Sequence, residues 1–179
     1  HDGPVMAVAF HPDGKNVVTA GGKGGMRLWN PEATNDVLLL PHVPLKELRH
    51  TFITAVAVSP SGRLLASACN DGSVRLWDIT RPKPKQWDVI SKNTGVVTPI
   101  CFSPDGKLLA TAERASGITR LFDVTGSNAK PAGVLAPVEG DVWSLSFSPD
   151  GKTLVAGMWF NEIEPKYGEV VAWDLTKTP

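Results

Sequence analysis

Short apolar runs separated by polar turns fill the chain, and they recur. The runs Val5 to Phe10, Thr54 to Val58, Val96 to Phe102 and Val142 to Phe147 read as apolar on both faces. That pattern predicts strands covered on both faces. Each run leads into a copy of one tetrapeptide: His11-Pro12-Asp13-Gly14, Ser59-Pro60-Ser61-Gly62, Ser103-Pro104-Asp105-Gly106 and Ser148-Pro149-Asp150-Gly151. Proline presets φ at the second turn position and glycine is favoured at the fourth, which predicts type I turns. Second strands are predicted over Val17 to Ala20, Leu64 to Ala68, Leu108 to Ala112 and Thr153 to Gly157. A tight turn, clearest at Asn70-Asp71-Gly72, then leads to a third strand. Each third strand ends on an aromatic and a polar residue: Trp29-Asn30, Trp77-Asp78, Phe122-Asp123 and Trp173-Asp174. Pro44 to Arg49, Gln86 to Ser91 and Gly133 to Val138 are more polar and flanked by prolines, the pattern of outer edge strands.

The tetrapeptides start at residues 11, 59, 103 and 148, a spacing of 44 to 48 residues. A fixed period in this range marks an array of similar units. Regular short strands with turn signals predict an all-β chain and not an α/β one. The units fall at about 1–49, 50–92, 93–138 and 139–179. The line Asn-Asp-Gly-Ser-Val-Arg-Leu-Trp-Asp from Asn70 to Asp78, with its three degenerate copies, closely resembles the WD-repeat family of β-propellers. The resemblance covers essentially the whole chain. It implies about four blades of four-stranded antiparallel sheets in an incomplete ring. Four sets of the first three strands are legible but only three outer strands, so the expectation is a piece of a longer propeller. Propellers close with typically ~4–8 blades. Open terminal blade faces would be apolar and prone to self-association.

Charge adds little. Lys plus Arg and Asp plus Glu are 18 each, so no net field draws the chain to nucleic acid or an anionic membrane. Arg81-Pro82-Lys83-Pro84-Lys85 is the one compact basic run and reads as a solvated loop. Cys69 and Cys101 lie in different units and read as buried free thiols. His1, His11, His42 and His50 show no metal-ligand spacing, so no metal or cofactor is expected. Gly21-Gly22-Lys23-Gly24-Gly25 lacks the Gly-Lys-Ser/Thr ending of a phosphate loop, and no Gly-x-Ser-x-Gly nucleophile elbow occurs.

Unit two contains Ser, His and Asp, the residue types of a catalytic triad. The resemblance gives His50, Ser67, Asp71 and Trp77 a structural role instead: a hydrogen-bonded tetrad. The inventory fits, because the indole N–H only donates, serine and neutral histidine do both, and aspartate accepts. The other units are degenerate. Unit one keeps His1, Thr19 and Trp29 with Lys23 in place of the acid. Unit three has Asn93, Thr111 and Phe122 with Ser116 near the turn. Unit four has Val138 and Ala156 and keeps only Trp173. Carried over by register, the top-face contact positions of the family fall on Met6, Thr54, Thr98 and Trp143, with Asn70 beside them. Unit four also carries an insertion, Met158 to Gly168, containing Trp159, Phe160 and Tyr167. It reads as a longer hairpin with packed aromatics, or as a partner-contact loop. The resemblance implies a non-catalytic scaffold presenting loops to protein partners or to another domain of the same chain. The alternative is a regulatory or sensing propeller attached to an enzyme outside this stretch, such as a kinase or protease.

Overall fold

The computed structural model describes residues 1, 3–22, 25–33, 37–41, 52–80, 84–90, 95–160 and 167–177. Their strands form four separate antiparallel sheets, each meandering in sequence order. Blade 1 is β1 (Val5–Phe10), β2 (Val17–Gly21), β3 (Gly25–Trp29) and β4 (Val37–Pro41). Blade 2 is β5 (Ile53–Val58), β6 (Leu64–Cys69), β7 (Val74–Asp78) and β8 (Lys85–Ile90). Blade 3 is β9 (Val97–Phe102), β10 (Leu108–Glu113), β11 (Thr119–Asp123) and β12 (Lys130–Val134). Blade 4 has three described strands, β13 (Asp141–Phe147), β14 (Thr153–Phe160) and β15 (Tyr167–Asp174), followed by a 3₁₀ turn at Leu175–Lys177. The architecture is all-β, an incomplete β-propeller.

The tetrapeptides form the turns that the sequence predicts. Gly62 N–H donates to the Ser59 carbonyl at 2.8 Å, and Gly106 and Gly151 repeat the bond to Ser103 and Ser148 at 2.9 Å. The serine side chain closes the other end. Ser103 Oγ accepts from Leu108 N at 2.9 Å and donates to Asp105 Oδ1 at 2.6 Å, and Ser148 does the same to Thr153 and Asp150. These hydroxyls, with the Lys107 and Lys152 amides, hold the Asp105 and Asp150 carboxyls below the usual range. Successive turns also touch. Pro60 Cδ lies 3.6 Å from where a Gly106 Cβ would be, and Pro104 Cδ lies 3.7 Å from the same point on Gly151. In blade 1, His11 takes the serine position, and its Nε2 reaches the Gly62 carbonyl at 3.1 Å.

The outer strands are where the sequence reading shifts. β4 pairs with β3 over Val37–Pro41, ahead of the expected Pro44 to Arg49, which lies outside the described residues. β12 begins at Lys130, three residues before the expected Gly133, because Lys130 pairs directly opposite Asp123. The Ala129 amide is anchored just before it, donating to Asp88 Oδ2 on blade 2 at 2.7 Å. The residues beyond β12 turn inward instead, and Leu135 is buried between blades 3 and 4. β14 runs to Phe160 rather than Gly157, because Trp159 and Phe160 continue the ladder opposite Gly168 and Tyr167.

The core lies between blades. Val56 and Val58 of β5 meet Ala7, Ala9, Val18 and Met26 of blade 1. Ile100 and Phe102 of β9 meet Ala55, Ala57 and Val74 of blade 2. Leu145 and Phe147 of β13 meet Cys101, Ala110 and Leu121 of blade 3. The large residues of β5, β9 and β13 therefore face the preceding blade, and the small ones of β1, β5 and β9 face the next. That alternation is the period-2 pattern of a strand buried on both faces.

Candidate functional site

Ser67 sits on β6 and Trp77 at the end of β7. Trp77 Nε1 donates to Ser67 Oγ at 3.1 Å, and both side chains are buried. A hydroxyl whose lone pair receives an indole N–H, with no exposed surface, is not placed as a nucleophile. Asp71 closes the β6–β7 turn, its Oδ1 accepting from Ser73 N at 2.9 Å and from Ser73 Oγ at 2.7 Å. His50 lies outside the described residues. Ser67→Ala leaves the Trp77 indole N–H buried without its acceptor. It is expected to lower unfolding free energy by about 1–3 kcal/mol, measured by urea unfolding. An unchanged midpoint would count against the tetrad.

Blade 1 shows the same device with other residues. Trp29 Nε1 donates to Thr19 Oγ1 at 3.2 Å, and Thr19 Oγ1 bonds His1 Nε2 at 2.9 Å. His1 thus stands where the sequence placed it, whereas Lys23 lies outside the described residues. In blade 3 the chain is broken. The Phe122 side chain has no N–H to give, and buried Thr111 Oγ1 has no hydrogen-bond partner among the described residues. Asn93 also lies outside them. A different set takes over here. Glu113, at the end of β10, accepts from Arg120 Nη1 at 2.6 Å and from Ser116 Oγ at 2.9 Å. In blade 4, Ala156, Val138 and Trp173 pack together as an apolar cluster.

The top-face positions separate into two kinds. Met6, Thr54 and Trp143 each sit at a β-bulge near the start of the first strand, and Thr98 lies within the matching irregularity of blade 3. A bulge re-aims its side chain out of the ladder. The two threonines aim theirs at the next blade. Thr54 Oγ1 donates to the Val97 carbonyl, and Thr98 Oγ1 to the Val142 carbonyl at 3.5 Å. Asn70 Oδ1 accepts from Phe52 N at 3.0 Å, tying the β6–β7 turn to the entry of β5. Met6 and Trp143 remain exposed, Trp143 at 50 %.

Trp143 is not alone. The Arg114 guanidinium lies 3.8 Å above its ring centroid, and Arg114 Nε donates to Asp141 Oδ2 at 3.2 Å. Sequence reading missed Arg114, because it sits 29 residues before Trp143 and no local pattern links them. A shallow groove of about 630 Å³ opens on the same side of blade 4, between Trp143, Gly157, Trp159, Glu169 and Val170. Of the insertion aromatics, Trp159 lines this groove, while Phe160 is buried against Gly140. Tyr167 belongs to β15 and its side chain lies outside the described residues, as do 161–166.

Nothing in this arrangement activates a thiol. Burial pushes the Cys69 thiol up to about 11 and the Cys101 thiol up to about 12, so neither supplies a thiolate near neutrality. Among the described residues, no group of three His, Cys, Asp or Glu side chains could hold a metal ion.

Comparison with known families gives one match. The profile described as WD domain, G-beta repeat, fits residues 1–30, 42–78 and 130–159, more than half of the chain. The stretch it passes over includes most of blade 3, where Phe122 stands at the aromatic position and Glu113 pairs with Arg120. No curated protein matches the chain.

Proposed function

Because the chain belongs to the WD-repeat family, we propose that it is a non-catalytic interaction scaffold, residues 1–179 forming one propeller segment whose top rim receives a protein partner or another domain of the same polypeptide. Repeats of this family generally mediate protein–protein contact. The observation that supports this rim is the Trp143–Arg114 pair. Tryptophan and arginine dominate binding hot spots, and side chains already fixed before binding lose less freedom on contact. Here Arg114 is stacked on the ring and held by Asp141, so both arrive pre-ordered. Met6 and Asn70 are the other top-face positions assigned to this surface.

The test starts from proteins captured by the intact chain, each then titrated against wild type, Trp143→Ala and Arg114→Ala. Trp143→Ala should weaken the genuine partner at least about tenfold, or ~1.4 kcal/mol. Its melting temperature should stay close to wild type, because Trp143 is half exposed. A partner that binds both variants as tightly as wild type would remove the rim from this role.

A further inference from the structure

Arg114 does not hold its place on Trp143 unaided. Its amide donates to the Val96 carbonyl at 2.9 Å, and its carbonyl accepts from Val142 N at 3.0 Å. Its backbone therefore bridges the segments that enter blades 3 and 4. The residue before it is Glu113, the last of β10. Successive side chains of a strand point to opposite faces. Val97, the cross-strand partner of Glu113, packs on blade 2, whereas the Arg114 side chain reaches over to blade 4. Every group in this chain of contacts lies in blade 3 or in the two seams that flank it.

The turn that follows needs more support than its counterpart in blade 2. Ala68 pairs with Val74, and Ala112 with Thr119, so the blade 3 turn is one residue longer. In blade 2 the turn is pinned from within, by Asp71 accepting from Ser73. The blade 3 stretch from Arg114 to Ile118 contains no acid. Its pin comes from the strand instead. Glu113 Oε2 accepts from Ser116 Oγ at 2.9 Å, and Oε1 from Arg120 Nη1 at 2.6 Å. The Glu113 amide donates to the Ile118 carbonyl at 3.0 Å. Glu113 thus fastens, at its middle and its far end, the turn from which Arg114 projects.

We propose that Glu113, acting with Ser116, is the positioning residue of the rim: it holds the β10–β11 turn so that the Arg114 guanidinium lies stacked on Trp143, ready for a partner. Its importance for binding rests on the rim being the partner surface. A binding constellation must be held to within about 0.5 Å by the hydrogen bonds behind it. Arg114 has a long side chain, and any rotation of its backbone is magnified at the guanidinium. Glu113 touches neither Trp143 nor the rim surface, so it acts only through Arg114.

Fluorine NMR of the intact protein, labelled with fluorinated tryptophan, reads the stacking directly. Each of the six tryptophans gives one resonance, and Trp143→Phe identifies that of Trp143. Arg114→Ala should move it by removing the stacked cation. Glu113→Ala and Ser116→Ala should move it in the same direction, while the Trp77 resonance in blade 2 stays in place. Ser116 is exposed, so its variant keeps the test open if Glu113→Ala fails to fold. Affinity is then measured for a captured protein whose binding Trp143→Ala weakens. Glu113→Ala should weaken it by about the same factor as Arg114→Ala. In an Arg114→Ala background neither substitution should weaken it further, whereas a general loss of stability would add. A Trp143 resonance that neither substitution moves overturns the proposal, because the backbone bonds to Val96 and Val142 then suffice. So does an affinity that both leave unchanged, or that they lower equally with and without Arg114. If no captured protein depends on Trp143, the rim reading itself fails, and the resonance alone decides whether Glu113 positions Arg114.

Discussion

Gly117→Ala is expected to be the most damaging single-methyl addition among the described glycines. Gly117 sits in the β10–β11 turn at φ +65°. A Cβ there would stand 1.8 Å from the Val138 carbonyl oxygen and 2.9 Å from its carbon. Both obstructing atoms are backbone, on the segment that enters blade 4, and Val138 packs in the core between blades 3 and 4. The clash cannot be relieved by turning a side chain, so the entry segment must move. Gly106→Ala separates this from simple backbone strain. Its φ of +70° is nearly the same, but its nearest neighbour, Pro60 Cδ, is at 3.6 Å, an ordinary contact. Gly106→Ala should therefore cost only the left-handed penalty, about 1–2 kcal/mol. Gly117→Ala should cost more than about 3 kcal/mol, in the range reserved for specific structural damage. In a repeat array, stability is carried by units and their interfaces. Loss of the blade 3–4 seam should also broaden the urea transition or split it in two. Equal midpoints for the two variants would show that the turn does not brace blade 4.

The sequence carried most of the fold because the fold is periodic. Each x-Pro-x-Gly turn has its donor, its acceptor and its glycine φ written locally, so Ser103 to Gly106 and Ser148 to Gly151 were readable without any long-range knowledge. The second strands were readable because burial on both faces makes most of their residues apolar, and the first strands because they keep large apolar residues at alternate positions even where Ser144 and Ser146 interrupt them. The outer strands were less so. An edge strand has one partner and a polar exterior, so β12 (Lys-Pro-Ala-Gly-Val) has no hydrophobic period, and its start was fixed by the pairing of Lys130 with Asp123. The candidate site divides in the same way. Trp77, Ser67 and Asp71 lie at short spacing within one unit. Thr54 and Thr98 looked like surface contacts because only the assembled arc brings the Val97 and Val142 carbonyls to them. Arg114 and Trp143 belong to different blades, and only the seam between blades stacks them.

Glu113 was passed over for a related reason: it sits at the end of an otherwise apolar strand, Leu-Leu-Ala-Thr-Ala-Glu, and its partners lie beyond the turn. It is 1 % exposed, and its carboxyl faces the Arg120 guanidinium. A buried carboxylate persists only when paired and hydrogen-bonded. Arg120 of β11 meets Oε1 at 2.6 Å, and the Ser116 hydroxyl meets Oε2 at 2.9 Å. This one side chain therefore links the second strand, the turn and the third strand of blade 3. Those are the elements that Ser67, Asp71 and Trp77 serve in blade 2. Thr111 and Thr119 of blade 3 meanwhile leave buried hydroxyls without partners among the described residues. Glu113→Ala removes the carboxylate and strands a guanidinium whose side chain is only 19 % exposed. The expected loss is about 3–5 kcal/mol. Glu113→Leu with Arg120→Met removes both charges together and should cost much less than the single change, because the desolvation penalty of the pair disappears with it. The Arg114–Asp141 pair is the contrast: its side chains are 39 % and 30 % exposed, and Asp141→Asn should cost no more than about 1 kcal/mol. Urea unfolding of the three variants decides the matter. A Glu113→Ala loss no larger than that of Asp141→Asn would mean that blade 3 is held by its apolar core alone, and that the buried ion pair is not what replaces the tetrad there.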